Sequence, residues 1–160
     1  MSGPSGSLTR RHTMRRKDAK ELSEEISEIC EIEVSRFEEG ALGDGHRVYI
    51  LDGSAQFFRK NSDLYPTLTC ECMDQFPSVL VDMGAIPYIC NGADVMAPGI
   101  VRVEGDFDVG AVVVVRDVTY GKPLAIGLAL EPSSSIKKAD RGRMIENIHY
   151  VGDDLWDAIT

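Results

Sequence analysis

At 160 residues, with 43% hydrophobic and 27% charged content, the chain can form one ordinary globular domain or two small ones. No apolar run approaches the roughly 20 residues of a membrane helix, and the basic N-terminus lacks the apolar stretch of a secretory signal. The net charge of −9 is unevenly spread, with six Lys/Arg against one Asp in residues 1–20, four basic against thirteen acidic groups in 21–77, and seven against twelve in 78–160. An acidic body argues against non-specific duplex binding, where phosphate neutralisation dominates affinity. It leaves open recognition of a shaped RNA through backbone amides and a local basic spot.

Met1 to Thr13 is Ser/Gly-rich and then basic, with little to bury, and is expected to be disordered. Arg10, Arg11, Arg15, Arg16 and Lys17 could touch phosphate, although a solvated basic tail accounts for them as well. From Lys17 to Cys30 the apolar positions Ala19, Leu22, Ile26 and Ile29 recur at helical spacing, opposite a Glu-rich face. Glu31 to Arg36 alternates as a strand, closed by Glu38-Glu39-Gly40. Arg47–Leu51 and Ala55–Phe58 read as strands joined through Asp52-Gly53, a strong hairpin signal. Asn61 to Tyr65 reads as a loop, and Pro66 as the start of a helix that Pro77 ends, with Leu68 and Cys72 on its inner face.

The stretch Met83 to Val101, MGAIPYICNGADVMAPGIV, organises the rest. A helical turn or two is expected over Ala85–Cys90, with Pro87 in the first turn and Gly92 as the terminating C′ glycine. Asp94-Val95-Met96 runs into a strand, and Pro98-Gly99 reads as the centre of a type II turn. The spacing Gly84-Ala85, six residues, Gly92-Ala93, two residues, Met96, one residue, Pro98-Gly99-Ile100 resembles the PUA domain, an RNA-binding module of pseudouridine synthases and archaeosine transglycosylases.

Gly110 to Asp117 carries a continuous apolar run suited to a strand buried on both faces. Thr119–Pro123 is a turn, and Pro123–Leu130 a strand whose Gly127 suggests a bulge or close backbone approach. Short strands separated by turns suggest a small β-barrel. Lys137, Lys138, Arg141 and Arg143 surround Gly142, and Ile145–Tyr150 resembles the closing strand of the PUA family.

The resemblance extends upstream. Phe57-Phe58-Arg59 and Leu64-Tyr65-Pro66-Thr67-Leu68 look like the pre-PUA region of the malignant T-cell amplified sequence family, so that residues 45–158 are covered. It implies an α+β protein with a pre-PUA α+β domain at 17–77 and a PUA β-barrel at 78–160, after the disordered basic tail that composition gives for 1–16. It also implies a cytoplasmic, non-catalytic translation factor that contacts the small ribosomal subunit and tRNA or rRNA in initiation, re-initiation or recycling. The implied protein partner has a SUI-type initiation-factor domain, and no membrane is involved. An accessory RNA-binding subunit of an RNA-modifying enzyme is the alternative. Carried over residue by residue, the RNA surface would comprise Gly84, Ala85, Tyr88, Asn91, Gly92, Ala93, Met96, Pro98 and Gly99, with Gly142 and Arg143 opposite. Arg143 could fork onto a phosphate and Tyr88 stack on a base, although core packing would equally explain Tyr88 and Met96.

The residues offer no competing chemistry. Cys30, Cys70, Cys72 and Cys90 lack the paired spacing of a zinc site and read as buried, reduced thiols; Cys70 and Cys72 would face different sides of a helix. His12, His46 and His149 show no metal spacing, and His149 reads as a hydrogen-bonded structural histidine. Ser133-Ser134-Ser135 lacks a nucleophile-elbow context and reads as a loop. Glu104, Asp106 and Asp108 read as solvated. No phosphate loop is present, and neither a cofactor nor a metal is implied.

Overall fold

The structure, a computed structural model, describes residues 7–160. The chain divides into two compact units, one comprising residues up to Gln75 with Asp157–Thr160, the other Phe76–Trp156. The division falls two residues before the expected boundary at Pro77.

In the first unit, β1 (Thr9–Thr13), β2 (Phe37–Ala41), β3 (Arg47–Leu51), β4 (Ser54–Lys60) and β5 (Asp63–Pro66) form an antiparallel sheet in that order. Helix α1 (Arg16–Ser27) buries Leu22 and Ile26 from its apolar face. The Asp52-Gly53 hairpin is as the sequence suggests, with φ of 51° and 87° in the two-residue loop.

Five expectations for this unit are corrected. Residues 9–13 are a strand rather than part of a disordered tail, because β1 pairs along β2 and its side chains find charge partners: Arg11 bonds Glu38 at 3.1 Å and His12 bonds Glu39 at 3.1 Å. The expected tail's residues 1–6 lie outside the described residues. Residues 31–36 are irregular and the strand begins at Phe37. The Asp52 carboxylate there accepts the N–H groups of Ser35 and Arg36 at 2.7–3.2 Å, bonds that a ladder partner would otherwise supply. Asp63–Pro66 is an edge strand reached by an Asn61-Ser62 turn, where a missing proline N–H is tolerated.

The helix expected after Pro66 is replaced by turns and one 3-10 turn, Met73–Gln75. Thr67 and Thr69 instead donate their hydroxyls to the Ala55 carbonyl at 2.9 and 2.7 Å, anchoring the segment to β4. In consequence the Cys70 and Cys72 sulfurs face each other at 2.6 Å instead of diverging. Burial, with a hydrogen bond donated to Cys72, pushes the Cys30 thiol up to about 12. The hydrogen bond that Cys72 donates to Cys70, with burial, raises Cys72 as well.

In the second unit, β6 (Ser78–Val81), β7 (Val95–Met96), β8 (Ile100–Glu104), β9 (Val112–Asp117), β10 (Pro123–Ala129) and β11 (Arg143–Tyr150) form one sheet in the order β7-β11-β10-β9-β6-β8. All pairs are antiparallel except β6 with β9. The edge strands β7 and β8 are consecutive in the chain, and Met96 to Ile100 spans at most about 14 Å. A flat six-stranded sheet would hold its edges about 24 Å apart. The sheet therefore curls into a barrel, around Val79, Val81, Val113, Val115, Ala125 and Ile145. Val113, Val114 and Val115 are each fully buried, as their unbroken apolar run requires.

Gly127 marks a register shift between β10 and β11. A Cβ there would lie 2.2 Å from Ile145 Cγ2 and 3.1 Å from the Glu146 carbonyl, so both features suggested by the sequence coincide. The short helices α2 (Ile86–Ile89) and α3 (Ser133–Ile136) also lie in this unit, and α4 (Asp154–Ile159) begins in it. The serine run lies in α3 rather than in a loop, started by Pro132 and tied down by Ser133 Oγ, which bonds both Phe107 N and O. Among the described residues no helix is long and apolar enough to cross a membrane.

Candidate nucleic-acid interface

The segment from Asp82 to Ile100 builds a groove from backbone outward. Asp82 caps the 3-10 turn Met83–Ala85, its Oδ1 accepting Ala85 N at 3.0 Å. The chain continues directly into α2, whose first turn holds Pro87. Ala93 N bonds Tyr88 O and Gly92 N bonds Ile89 O, both at 3.0 Å. This is the Schellman pair, with Gly92 at φ 95° in the C′ position where a side chain would be strained. The next turn differs from expectation. Ala97–Gly99 is a 3-10 turn, and Gly99 is not left-handed, so no type II turn forms. Gly99 is small for a different reason: a Cβ would press to 3.3 Å from that of Ala85.

The resulting cavity, about 390 Å³, is lined by Gly84, Ala85, Tyr88, Ala93, Met96, Pro98 and Gly99 among others. Seven of the eleven expected residues thus share one groove. Tyr88 is 70% exposed and Met96 48%, which removes core packing as the reason for either. Gly142 and Arg143 are brought alongside by strand pairing, because Arg143 lies opposite Met96 and Ala97 N bonds Gly142 O at 2.9 Å. The remaining two, Asn91 and Gly92, do not line the groove. Gly92 faces Tyr150, whose ring and hydroxyl would meet an added Cβ at 3.3 Å.

Three residues that the sequence did not single out organise this surface. Asp94 accepts Arg143 Nη1 at 3.0 Å and Asn147 N at 2.8 Å, fixing the guanidinium beside Met96. Asn147 Nδ2 donates to Ile89 O and Ala93 O at 3.0 Å each, pinning the end of α2 to β11. Asp82 has a local signal, a capping residue three positions before Ala85. Asp94 has none, since its partners lie 49 and 53 residues away. The half-exposed Asp94–Arg143 pair adds little stability; its effect is orientation. The polar lining is otherwise spare, and the groove is chiefly apolar, with exposed backbone and one aromatic face.

The histidine of β11 is structural. His149 is buried, its Nδ1 2.8 Å from Asp153 Oδ2. Burial alone would raise Asp153, yet the His149 hydrogen bond and charge, with Trp156 N and Tyr150 N, hold its carboxyl below the usual range. Among the described residues no group of three or more His, Cys, Asp or Glu is arranged to hold a metal ion.

Residues 77–151 match the family model described as the PUA domain, and residues 10–70 one described as a domain of unknown function, DUF1947. An uncharacterised protein of Methanocaldococcus jannaschii is 35% identical over 158 residues, covering 94% of this chain and 97% of its own. Translation machinery-associated protein 20 of Saccharomyces cerevisiae is 32% identical over 144 residues, covering 85% of this chain and 77% of its own. Among solved structures, a PUA-domain protein of Aeropyrum pernix, crystallised with tartrate, has a TM-score of 0.80 at 29% identity, covering 92% of this chain and 89% of that one. The chain belongs to the PUA-domain family that includes translation machinery-associated protein 20 and the malignant T-cell-amplified sequence proteins.

Proposed function

We propose that this protein is a non-catalytic, cytoplasmic RNA-binding translation factor that uses the groove of its second unit to hold a splayed RNA end. The names of its relatives support a role beside the translation machinery, and the PUA assignment supports RNA as the ligand. The observation that carries the reading is the exposed Tyr88 ring on an apolar groove beside an Arg143 already oriented by Asp94. A base can stack on Tyr88 and slide against Met96, while the free donors of the guanidinium reach a phosphate. An acidic body then selects against RNA that cannot offer such an unstacked base. On this reading the ligand is tRNA or rRNA on the small ribosomal subunit during initiation, re-initiation or recycling, and a protein with a SUI-type domain is the partner.

Co-sedimentation with small ribosomal subunits, with and without tRNA, tests it. Tyr88→Ala should weaken RNA affinity about 5- to 150-fold, the span of one base–aromatic stack. It should leave the melting temperature alone, because the ring is mostly exposed. Wild-type affinity in Tyr88→Ala and Arg143→Ala alike would remove the groove from RNA recognition.

A further inference from the structure

The first unit carries a basic surface of a different kind. Arg10 lies on β1, Arg15 immediately precedes α1, and Arg16, Lys17 and Lys20 lie at its start; all five are exposed. Among the described residues none of the five takes part in an ion pair, whereas Arg11, Arg36, Arg47 and Arg59 of the same unit each do. Residues 1–6 contain no acidic side chain to pair with them. Arg16, Lys17 and Lys20 stand three and four positions apart, so their Cβ atoms lie about 5–6 Å from a neighbour on one flank of the helix.

The three cations do little for the stability of α1. Arg16 and Lys17 in the first turn lie against the positive end of the helix dipole, offset in part by Asp18, and Glu24 stands in the last turn against the negative end; Glu25 beside it is held by Arg59. Lys17 precedes Glu21 and Lys20 precedes Glu24, the less favourable order for pairs four apart. The same residues placed in the opposite order would stabilise α1. A helix charged in this sense gains when a polyanion settles on its basic half. The acidic remainder of the chain leaves few other places for a phosphate backbone to do so.

We propose that the β1–α1 basic face is a second RNA contact, gripping phosphate backbone without reading bases, on a different unit from the groove. The proposal rests on the RNA-binding reading above, but on separate residues, so the two can fail separately. The contact is electrostatic and therefore salt-dependent, whereas stacking on Tyr88 is not.

The test is binding of a fluorescently labelled tRNA transcript to the full chain over a salt series, with the triple variant Arg16→Gln, Lys17→Gln, Lys20→Gln. Its log K against log salt should be shallower than the parent's by about 2, three contacts at about 0.7 each, and its affinity at roughly 0.1 M salt about tenfold or more weaker. Its melting temperature should stay level or rise, because the charges removed oppose the helix dipole. An unchanged slope and affinity would overturn the proposal, as would a loss of binding that tracks a fall in melting temperature. So would unaltered tRNA binding with lost binding to phosphatidylserine vesicles, which would make the face a membrane contact. Tyr88→Ala, measured alongside, separates the two readings. Weakened binding in the triple variant alone sinks the groove and leaves the basic face, and the reverse result does the opposite.

Discussion

The two units solve their turns differently. Among the described residues, six positions in each take positive φ. In the second unit all six are glycines, from Gly92 to Gly152. In the first, Arg10, Asp52, Asn61 and Ser62 share the role with Gly45 and Gly53. A side chain in that region costs roughly 1–2 kcal/mol per residue, less for Asn and Asp. The first unit offsets that cost with side-chain bonds at the turns themselves. Asp52 accepts Ser35 N and Arg36 N, and Arg59 Nη1 donates to the Ser62 carbonyl at 3.1 Å. One unit is shaped by the absence of side chains, and the other is held by their presence.

That contrast breaks most visibly where shape is tightest. Gly127→Val puts atoms into the space that Ile145 and the Glu146 carbonyl already fill, and β10 and β11 must part to admit them. Urea denaturation should show a loss of about 3 kcal/mol, the upper part of the overpacking range. A midpoint equal to the parent's would mean that the barrel is not as tightly closed there as the geometry requires.

The matching change in the first unit is Arg59→Met. Arg59 forks onto Glu25 at 2.9 and 2.8 Å, donates to Tyr49 Oη at 2.9 Å and holds the Ser62 carbonyl. The pair is partly exposed, so about 1–2 kcal/mol is expected at neutral pH. The Arg59 hydrogen bond and charge hold the Glu25 carboxyl below its ordinary range. A depressed acid contributes stability above its unfolded pKa, about 4.3, and loses it as pH falls through the folded value. The gap between parent and Arg59→Met should therefore narrow below about pH 4; a constant gap would leave packing, not charge, as the source.

This difference also explains what the sequence disclosed. The second unit's α2, its Gly92 terminus, the β9 run and the Gly127 bulge were legible because glycine and unbroken apolar runs are local signals. The groove was legible through the same glycines, yet Asp94 and Asn147, which fix its Arg143 and α2, act across more than 40 residues and leave no local trace. In the first unit the local signals misled. Pro66-Thr67-Leu68 reads as a helix start until the buried Thr67 hydroxyl is found on the Ala55 carbonyl. Asn61-Ser62 lacks the glycine that would have announced a hairpin. The basic run through Lys17 reads as a tail until Glu38 and Glu39 are seen to hold β1.

Gly92→Ala addresses the second unit's turns at smaller scale. The backbone strain at φ 95° and the approach to Tyr150 should together cost roughly 1–2 kcal/mol. RNA affinity should hold, since Gly92 does not line the groove. A thermal melt and an RNA titration on the one variant separate these effects, and weakened binding at full stability would return Gly92 to the interface.

The smallest effect is the most direct test of the contrast. Asn61 and Ser62, at φ of 52° and 71°, form a two-residue loop between Lys60 and Asp63, which pair across the hairpin. Positive φ at both positions is the type I′ pattern, for which Asn-Gly is the favoured sequence. Ser62→Gly supplies it. The change relieves the serine's strain, of order 1 kcal/mol, and adds unfolded-chain entropy that takes back about 0.4–1 kcal/mol. The carbonyl that Arg59 holds belongs to the backbone and survives the substitution. The expected net is a gain of a few tenths of a kcal/mol, opposite in sign to Gly92→Ala. If Ser62→Gly instead destabilises by 1 kcal/mol or more, then its side chain stabilises the turn by more than the strain costs, and the first unit's left-handed residues are chosen for contacts they make themselves.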